Sequence, residues 1–194
     1  MSNSLFTKIE DEVQNSLVTL KSEGVLIYPT DTIWGIGCDA TSKDAVNKIY
    51  EIKKRHESKS LVILVSDWDM LNEYVPEISD AIRSFLNLTD RPTTVVYSNP
   101  KGLASNVVAV DNSVAIRIVD NKFCQSLLAE FGKPIVSTSA NLSGTQSPAC
   151  FDDIDKSLLK KADYVVNLSR NINQSSASQI VKLGADGQVE FIRK

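Results

Sequence analysis

The sequence predicts an α/β fold: an open, twisted sheet of mixed parallel and antiparallel strands, flanked by helices. Two observations carry the prediction. Short apolar runs alternate along the chain with segments of helical periodicity, the pattern of strands joined by helices. Near the C-terminus, two strand-like runs stand close together around Ala185-Asp186-Gly187, which implies an antiparallel hairpin and hence a mixed sheet. The length of 194 residues, with 42% hydrophobic and 23% charged residues, fits a single domain over residues 1–194 that buries its own core. No internal repeat or low-complexity segment divides it.

The elements follow in order. Residues 5–20 place Leu5, Ile9, Val13, Leu17 and Leu20 at helical spacing, with Gly24 as a stop. Residues 25–28 form a short buried strand that ends at Pro29. Ser42 caps a helix that runs to Lys54 and carries Val46, Ile49, Tyr50 and Ile52. A strand covers residues 61–65, and helices cover 67–74 and 78–88. Residues 93–97 and 114–119 are strands, and 122–131 is a helix closed by Gly132. Ile135 and Val136 begin a strand that runs into a hydroxyl-rich turn over residues 137–144. Residues 164–166, 179–183 and 189–192 complete the strands, and residues 171–178 read as a loop.

Several function classes are excluded. There is no GxxxxGK[ST] phosphate loop, no GxGxxG, no GxSxG elbow and no HExxH. His56 is the only histidine, so histidine-centred acid–base chemistry is disfavoured. Cys38, Cys124 and Cys150 are far apart with no CxxC, which argues for buried, inert thiols over a disulfide framework or a zinc site. A net charge of -3 argues against a protein living on nonspecific nucleic-acid contacts. The N-terminus lacks a signal-peptide pattern and no apolar run is long enough to span a bilayer, so the expected location is the cytoplasm.

Three segments could carry chemistry. Lys53, Lys54, Arg55 and Lys59 gather at a helix end, either as a solvated face that complements the helix dipole or as a phosphate clamp. Lys53 and Arg55 do not share a helix face, so if both reach one ligand the helix must end there and its terminus must line a pocket. The second segment is S-T-S-A-N-L-S-G over residues 137–144, directly after a strand. Hydroxyls, an amide and closely spaced backbone N–H groups there suit an oxyanion, although the composition also fits a plain turn. The third is Y-P-T-D-T-I-W-G-I-G over residues 28–37, read as a ligand-facing loop or a structural bend.

Taken in order, these segments resemble the Sua5/YrdC/YciO family of threonylcarbamoyl-AMP synthases, in its short, single-domain bacterial form. The family's opening motif fits residues 28–37 throughout, I-K-x-R matches residues 52–55, and S-x-N-x-S-G matches residues 139–144. Further matches are the strand ending in Arg117, Ser178-Gln179-Ile180 and the late Arg193. The resemblance implies a YrdC-like sheet and synthesis of threonylcarbamoyl-AMP from L-threonine, bicarbonate and ATP with Mg²⁺. It further implies that a separate tRNA threonylcarbamoyl transferase enzyme uses the product; the acidic charge balance argues for weak tRNA contact at most. By resemblance, Lys53 and Arg55 are catalytic and hold ATP phosphates with Lys59. Ser139, Asn141, Ser113, Ser147 and Arg193 complete the ATP site. Thr32, Arg117, Ser137 and Ser178 bind threonine, a buried arginine being suited to pair with its carboxylate. No residue is assigned to a metal, Mg²⁺ being expected on the phosphates.

Three departures bear on threonine binding: Asp90-Arg91 replaces the usual Pro-Gly, Ser60 replaces a proline, and Leu64 stands where longer members place a histidine. The competing readings are a non-synthase paralogue that binds RNA or the ribosome through the same basic cavity, and a carbamoyl-transferase component working from carbamoyl phosphate.

Overall fold

The computed structural model describes residues 2–54, 61–173 and 176–194, with side chains from residue 7 onward. Helix α1 (Ser2–Lys21) leads into β1 (Leu26–Tyr28), β2 (Gly35–Gly37) and α2 (Lys43–Lys53). Next come β3 (Val62–Val65), α3 (Trp68–Tyr74), α4 (Asp80–Leu88) and the strands β4 (Thr93–Ser98) and β5 (Ser113–Ile118). Helix α5 (Lys122–Phe131) precedes β6 (Ile135–Ser139), a 3-10 turn (Phe151–Asp153) and α6 (Lys156–Leu159). Strands β7 (Tyr164–Val165), β8 (Gln179–Leu183) and β9 (Val189–Arg193) close the chain.

The caps explain the boundaries. Ser42, Asp67, Ser79 and Asn121 each accept a backbone N–H of the first turn through the side chain, opening α2, α3, α4 and α5. Gly132 closes α5 in the left-handed region, at φ 69°, where a glycine carries no Cβ penalty. Lys54 closes α2 in the same region without being glycine, at φ 49°.

The described strands form one nine-stranded sheet in the order β7-β1-β2-β6-β3-β5-β4-β8-β9. β1/β7, β3/β5 and β4/β8 pair in parallel, while β1/β2, β2/β6, β3/β6, β4/β5 and β8/β9 are antiparallel. The mixed sheet expected from the sequence is therefore present. The 3-10 turn and α6 are not read from the sequence, and β2 is read as loop. It is a three-residue strand, Gly-Ile-Gly, inserted between β1 and β6.

Register sorts the side chains onto two faces. Val62 pairs with both Ser137 and Ala115, Leu64 with Arg117, and Thr94 with Ile180. That face carries the polar residues. The alternate set, Ile63, Val65, Ile116 and Val95, is buried in the apolar core. α3 packs against β3, α1 against α5 and β1, and α4 against β9, with Phe85 of α4 edge-on to Phe191 at 5.7 Å. No described helix is long and apolar enough to cross a membrane.

The core also fixes the thiols. Cys38 and Cys124 are buried, and burial pushes both well above the ordinary thiol range. Cys150 is only partly buried, which corrects the expectation that all three are enclosed. A disulfide reagent at neutral pH is expected to titrate at most Cys150 in the folded chain, because the thiolate is the reactive form. All 3 cysteines should react after unfolding. Rapid modification of Cys38 or Cys124 in the native state would contradict this packing.

Candidate active site

The polar face of the sheet opens into a cavity of about 270 Å³. It is lined by Thr32, Gly35, Val62, Arg117, Ser137, Ser139, Ser147, Ser178 and Arg193, among others. Residues from β2, β3, β5, β6, β8 and β9, and from three loops, thus meet in one place. Seven of the residues singled out from the sequence lie in that lining: Thr32, Arg117, Ser137, Ser139, Ser147, Ser178 and Arg193.

Arg117 is the most constrained charge. It sits near the end of β5 with its side chain 4% exposed and forms an ion pair through Nη1 with Asp31, whose side chain is 8% exposed. Its Nη2 donates to Thr32 Oγ1 at 3.2 Å. Thr30 Oγ1 accepts from the Thr32 amide at 3.0 Å, donates to the Ile33 carbonyl at 2.8 Å, and lies 2.9 Å from Thr32 Oγ1. Thr32 therefore accepts from Arg117 and donates to Thr30. Arg117 Nε is buried without a hydrogen-bond partner among the described residues. A buried N–H left open is costly unless a ligand completes it.

The hydroxyls around this arginine are similarly held. Ser178 Oγ and Thr94 Oγ1 are 2.8 Å apart. The Ser178 carbonyl accepts from Arg193 Nε at 3.1 Å and Nη2 at 2.6 Å, fixing the end of β9 against the cavity. Behind Ser137, Tyr28 is fully buried and donates to the Val136 carbonyl at 2.9 Å; burial raises its phenol well above the usual range. Gly35 leaves room for Ser137: a Cβ there would stand 3.1 Å from Ser137 Oγ.

The turn after β6 forms another wall. Ser139 Oγ donates to Asn141 Oδ1, and Asn141 Nδ2 donates to the Thr145 carbonyl at 2.6 Å. The loop carrying Ser147 is held farther on by Phe151. Its ring lies 5.0 Å from Trp34, and the Arg170 guanidinium lies 4.2 Å over it. This gives the Trp34 of the opening motif a packing role.

Among the described residues, the remaining expected ones stand outside that lining. Lys53 does not present its ammonium to the cavity. It is 1% exposed, and its Nζ donates to the Ser139 carbonyl, to the Asn141 carbonyl at 2.8 Å and to Asn141 Oδ1 at 3.4 Å. The physical reason is that α2 ends at Lys53, whose side chain turns inward under the Ser139–Asn141 turn. Ser113 is also not brought to this cavity. It begins β5, four residues from Arg117, donates to Asp111 Oδ1 at 2.6 Å, and lines a separate depression with Lys101 and Lys182. Asn141 stands behind the lining, bonded to Ser139. Arg55, Lys59, Ser60 and His56 lie outside the described residues.

Sequence reasoning passed over Asp31, Thr30 and Thr94. Asp31 and Thr30 were inside the opening motif, and Thr94 was within the Pro92-Thr93-Thr94 remnant. Of the departures, Leu64 is fully buried and does not line the cavity. Asp90 and Arg91 line a different depression, of about 450 Å³, with Trp68, Tyr97 and Ile116. That depression is larger, with Ile116 and Tyr97 of the core face in its lining and Asp31, the ion-pair partner of Arg117, at its border with the cavity.

Comparison with known proteins gives the family. Residues 18–194 match the model of the family Sua5_yciO_yrdC, described as telomere recombination. The chain belongs to the Sua5/YciO/YrdC family. A protein of Methanocaldococcus jannaschii, whose name provisionally gives threonylcarbamoyl-AMP synthase, is 34% identical over 182 residues, covering 91% of this chain and 84% of its own. The threonylcarbamoyl-AMP synthase of Escherichia coli O6:H1 is 31% identical over 147 residues, covering 74% of this chain and 77% of its own. In three dimensions, P. abyssi Sua5 complexed with L-threonine matches with a TM-score of 0.77 at 21% identity, covering 88% of this chain and 50% of that one. For this family member, the cavity over the polar face of the sheet is the candidate active site.

Proposed function

We propose that this chain is an L-threonylcarbamoyladenylate synthase, joining L-threonine, bicarbonate and ATP and releasing pyrophosphate. The observation that carries the reading is the buried Arg117 with an open Nε–H, ringed by Thr32, Ser137 and Ser178 in a cavity whose other wall is the Ser139–Asn141 turn. Relatives named threonylcarbamoyl-AMP synthase and a threonine complex of the same fold support it.

In this reading, Arg117 receives the threonine carboxylate in charge-assisted hydrogen bonds, and Thr32, Ser137 and Ser178 orient the amino acid. The threonine amine takes up bicarbonate, losing water, to give a carbamate. A carbamate oxygen attacks the α-phosphorus of ATP, and pyrophosphate leaves. The nucleophile is already an anion, so the step asks for positioning and charge neutralisation and needs no histidine base. Ser139, Asn141, Ser147 and Arg193 border the nucleotide, with Arg55 and Lys59 on the phosphates.

Mg²⁺ would enter on the phosphates of ATP. Among the described residues no three ligating side chains gather, and Asp31 is committed to Arg117. In this reading the ATP phosphates and water hold the ion. The product would pass to a separate transferase that modifies tRNA, in the cytoplasm, with residues 1–194 acting as a single domain.

The test is pyrophosphate release from ATP with bicarbonate and Mg²⁺, with and without L-threonine. Release that depends on threonine is expected. Its absence in pure, folded protein would sink the synthase reading and turn attention to RNA binding.

A further inference from the structure

Among the described residues, Lys53 is a charged side chain that the resemblance aims at the phosphates and that the fold turns inward. It is nearly fully buried, and a buried ammonium must be solvated by protein dipoles or it becomes very costly. Among the described residues, one segment supplies such dipoles. Ser139 and Asn141 offer their carbonyls, and Asn141 adds its side-chain Oδ1. Each of these oxygens can accept one N–H of the ammonium.

The main chain of Lys53 grips the same segment. Its carbonyl accepts the Ser143 amide at 3.2 Å. That carbonyl is one of those an α-helix leaves unpaired at its C-terminus, and the left-handed Lys54 ends the helix directly beyond it. The turn closes on itself around this anchor. Ser139 Oγ and Lys53 Nζ meet at Asn141 Oδ1, and Asn141 Nδ2 reaches Thr145. The Ser139 hydroxyl that lines the cavity is thus held by an amide that Lys53 orients.

We infer that Lys53 is a positioning residue: it fixes the Ser139–Ser143 turn as one wall of the nucleotide site and does not contact a substrate phosphate. The inference rests on the synthase reading only for the identity of the ligand; the clamp is a property of the ligand-free protein.

Hydrogen exchange on the ligand-free protein tests it first. In Lys53→Met, exchange of the Ser143 amide should quicken by roughly tenfold or more, as expected when a charged hydrogen-bond network is lost. The β5 amide of Ile116 should keep its protection. Affinity should then fall by a similar factor for ATP and for AMP, and adding Asn141→Ala should cost little more. Unchanged exchange at Ser143, with ATP weakened far more than AMP, would overturn the inference in favour of a phosphate contact.

Should Lys53→Met fail to fold, the wild type decides by NMR of the Lys53 ammonium. A slowly exchanging signal that ATP leaves in place supports the clamp, and a coupling to phosphorus overturns it. If ATP does not bind at all while the ligand-free clamp is seen, the synthase reading fails and the positioning of the turn stands.

Discussion

Replacing Arg117 with methionine is expected to lower threonine-dependent pyrophosphate release by roughly 10²–10³-fold, the usual cost of losing one well-placed charge in a preorganised site. The same change should destabilise the fold by about 3–5 kcal/mol, because Asp31 would be left buried beside an apolar chain. Both partners of the pair are almost fully enclosed, so solvent does little to soften that loss. The two effects separate in the double variant Asp31→Leu/Arg117→Met. Stability should return in large part, since no lone charge remains, while activity should stay low. Urea midpoints and threonine saturation curves measure the two. An Arg117→Met enzyme with a wild-type KM for threonine would refute the carboxylate role of the guanidinium.

Gly37→Ala is expected to be the most damaging single methyl addition near the site. An added Cβ would lie 1.8 Å from the Val136 carbonyl oxygen and 3.0 Å from Tyr28 Oη. Val136 cannot step aside, because its amide is tied to the Cys38 carbonyl at 2.9 Å and its own carbonyl accepts from Tyr28. The strain should cost about 3 kcal/mol or more, a fall in Tm of roughly 6–12 °C for a chain of this size. Gly35→Ala provides the contrast. Its Cβ meets a serine hydroxyl at 3.1 Å rather than a carbonyl on a fixed strand. It should therefore cost less stability while crowding Ser137 in the cavity. Equal melting temperatures for wild type and Gly37→Ala would contradict the close approach of β2 and β6.

The legibility of this fold follows from where the deciding forces lie. Strands such as β3 and β5 announce themselves through apolar runs, and α2 and α5 through their caps, because those signals are local. β2 carries no such signal. Gly35-Ile36-Gly37 is too short for periodicity and holds two poor strand formers, and it becomes a strand because β1 and β6 pair with it on either side. The site divides the same way. Arg117, Ser178 and the hydroxyl turn were visible as motifs and do converge. The inward turn of Lys53 was not visible, because it depends on how the end of α2 meets a segment some ninety residues later. Ser113 lies on the same strand as Arg117, four residues earlier, and lines a neighbouring depression, a separation set by the rise of β5. Asp31 was inside a quoted motif yet gained a role only when its partner, eighty-six residues away, was seen beside it.

The most direct measurement follows labelled bicarbonate into nucleotide. The enzyme would be incubated with ATP, Mg²⁺ and labelled bicarbonate, and the adenylates separated rapidly. Label in an adenylate that also contains threonine, formed only when threonine and ATP are both present, is the predicted result. Label in an adenylate without threonine, or pyrophosphate release that leaves the label in solution, would contradict the account.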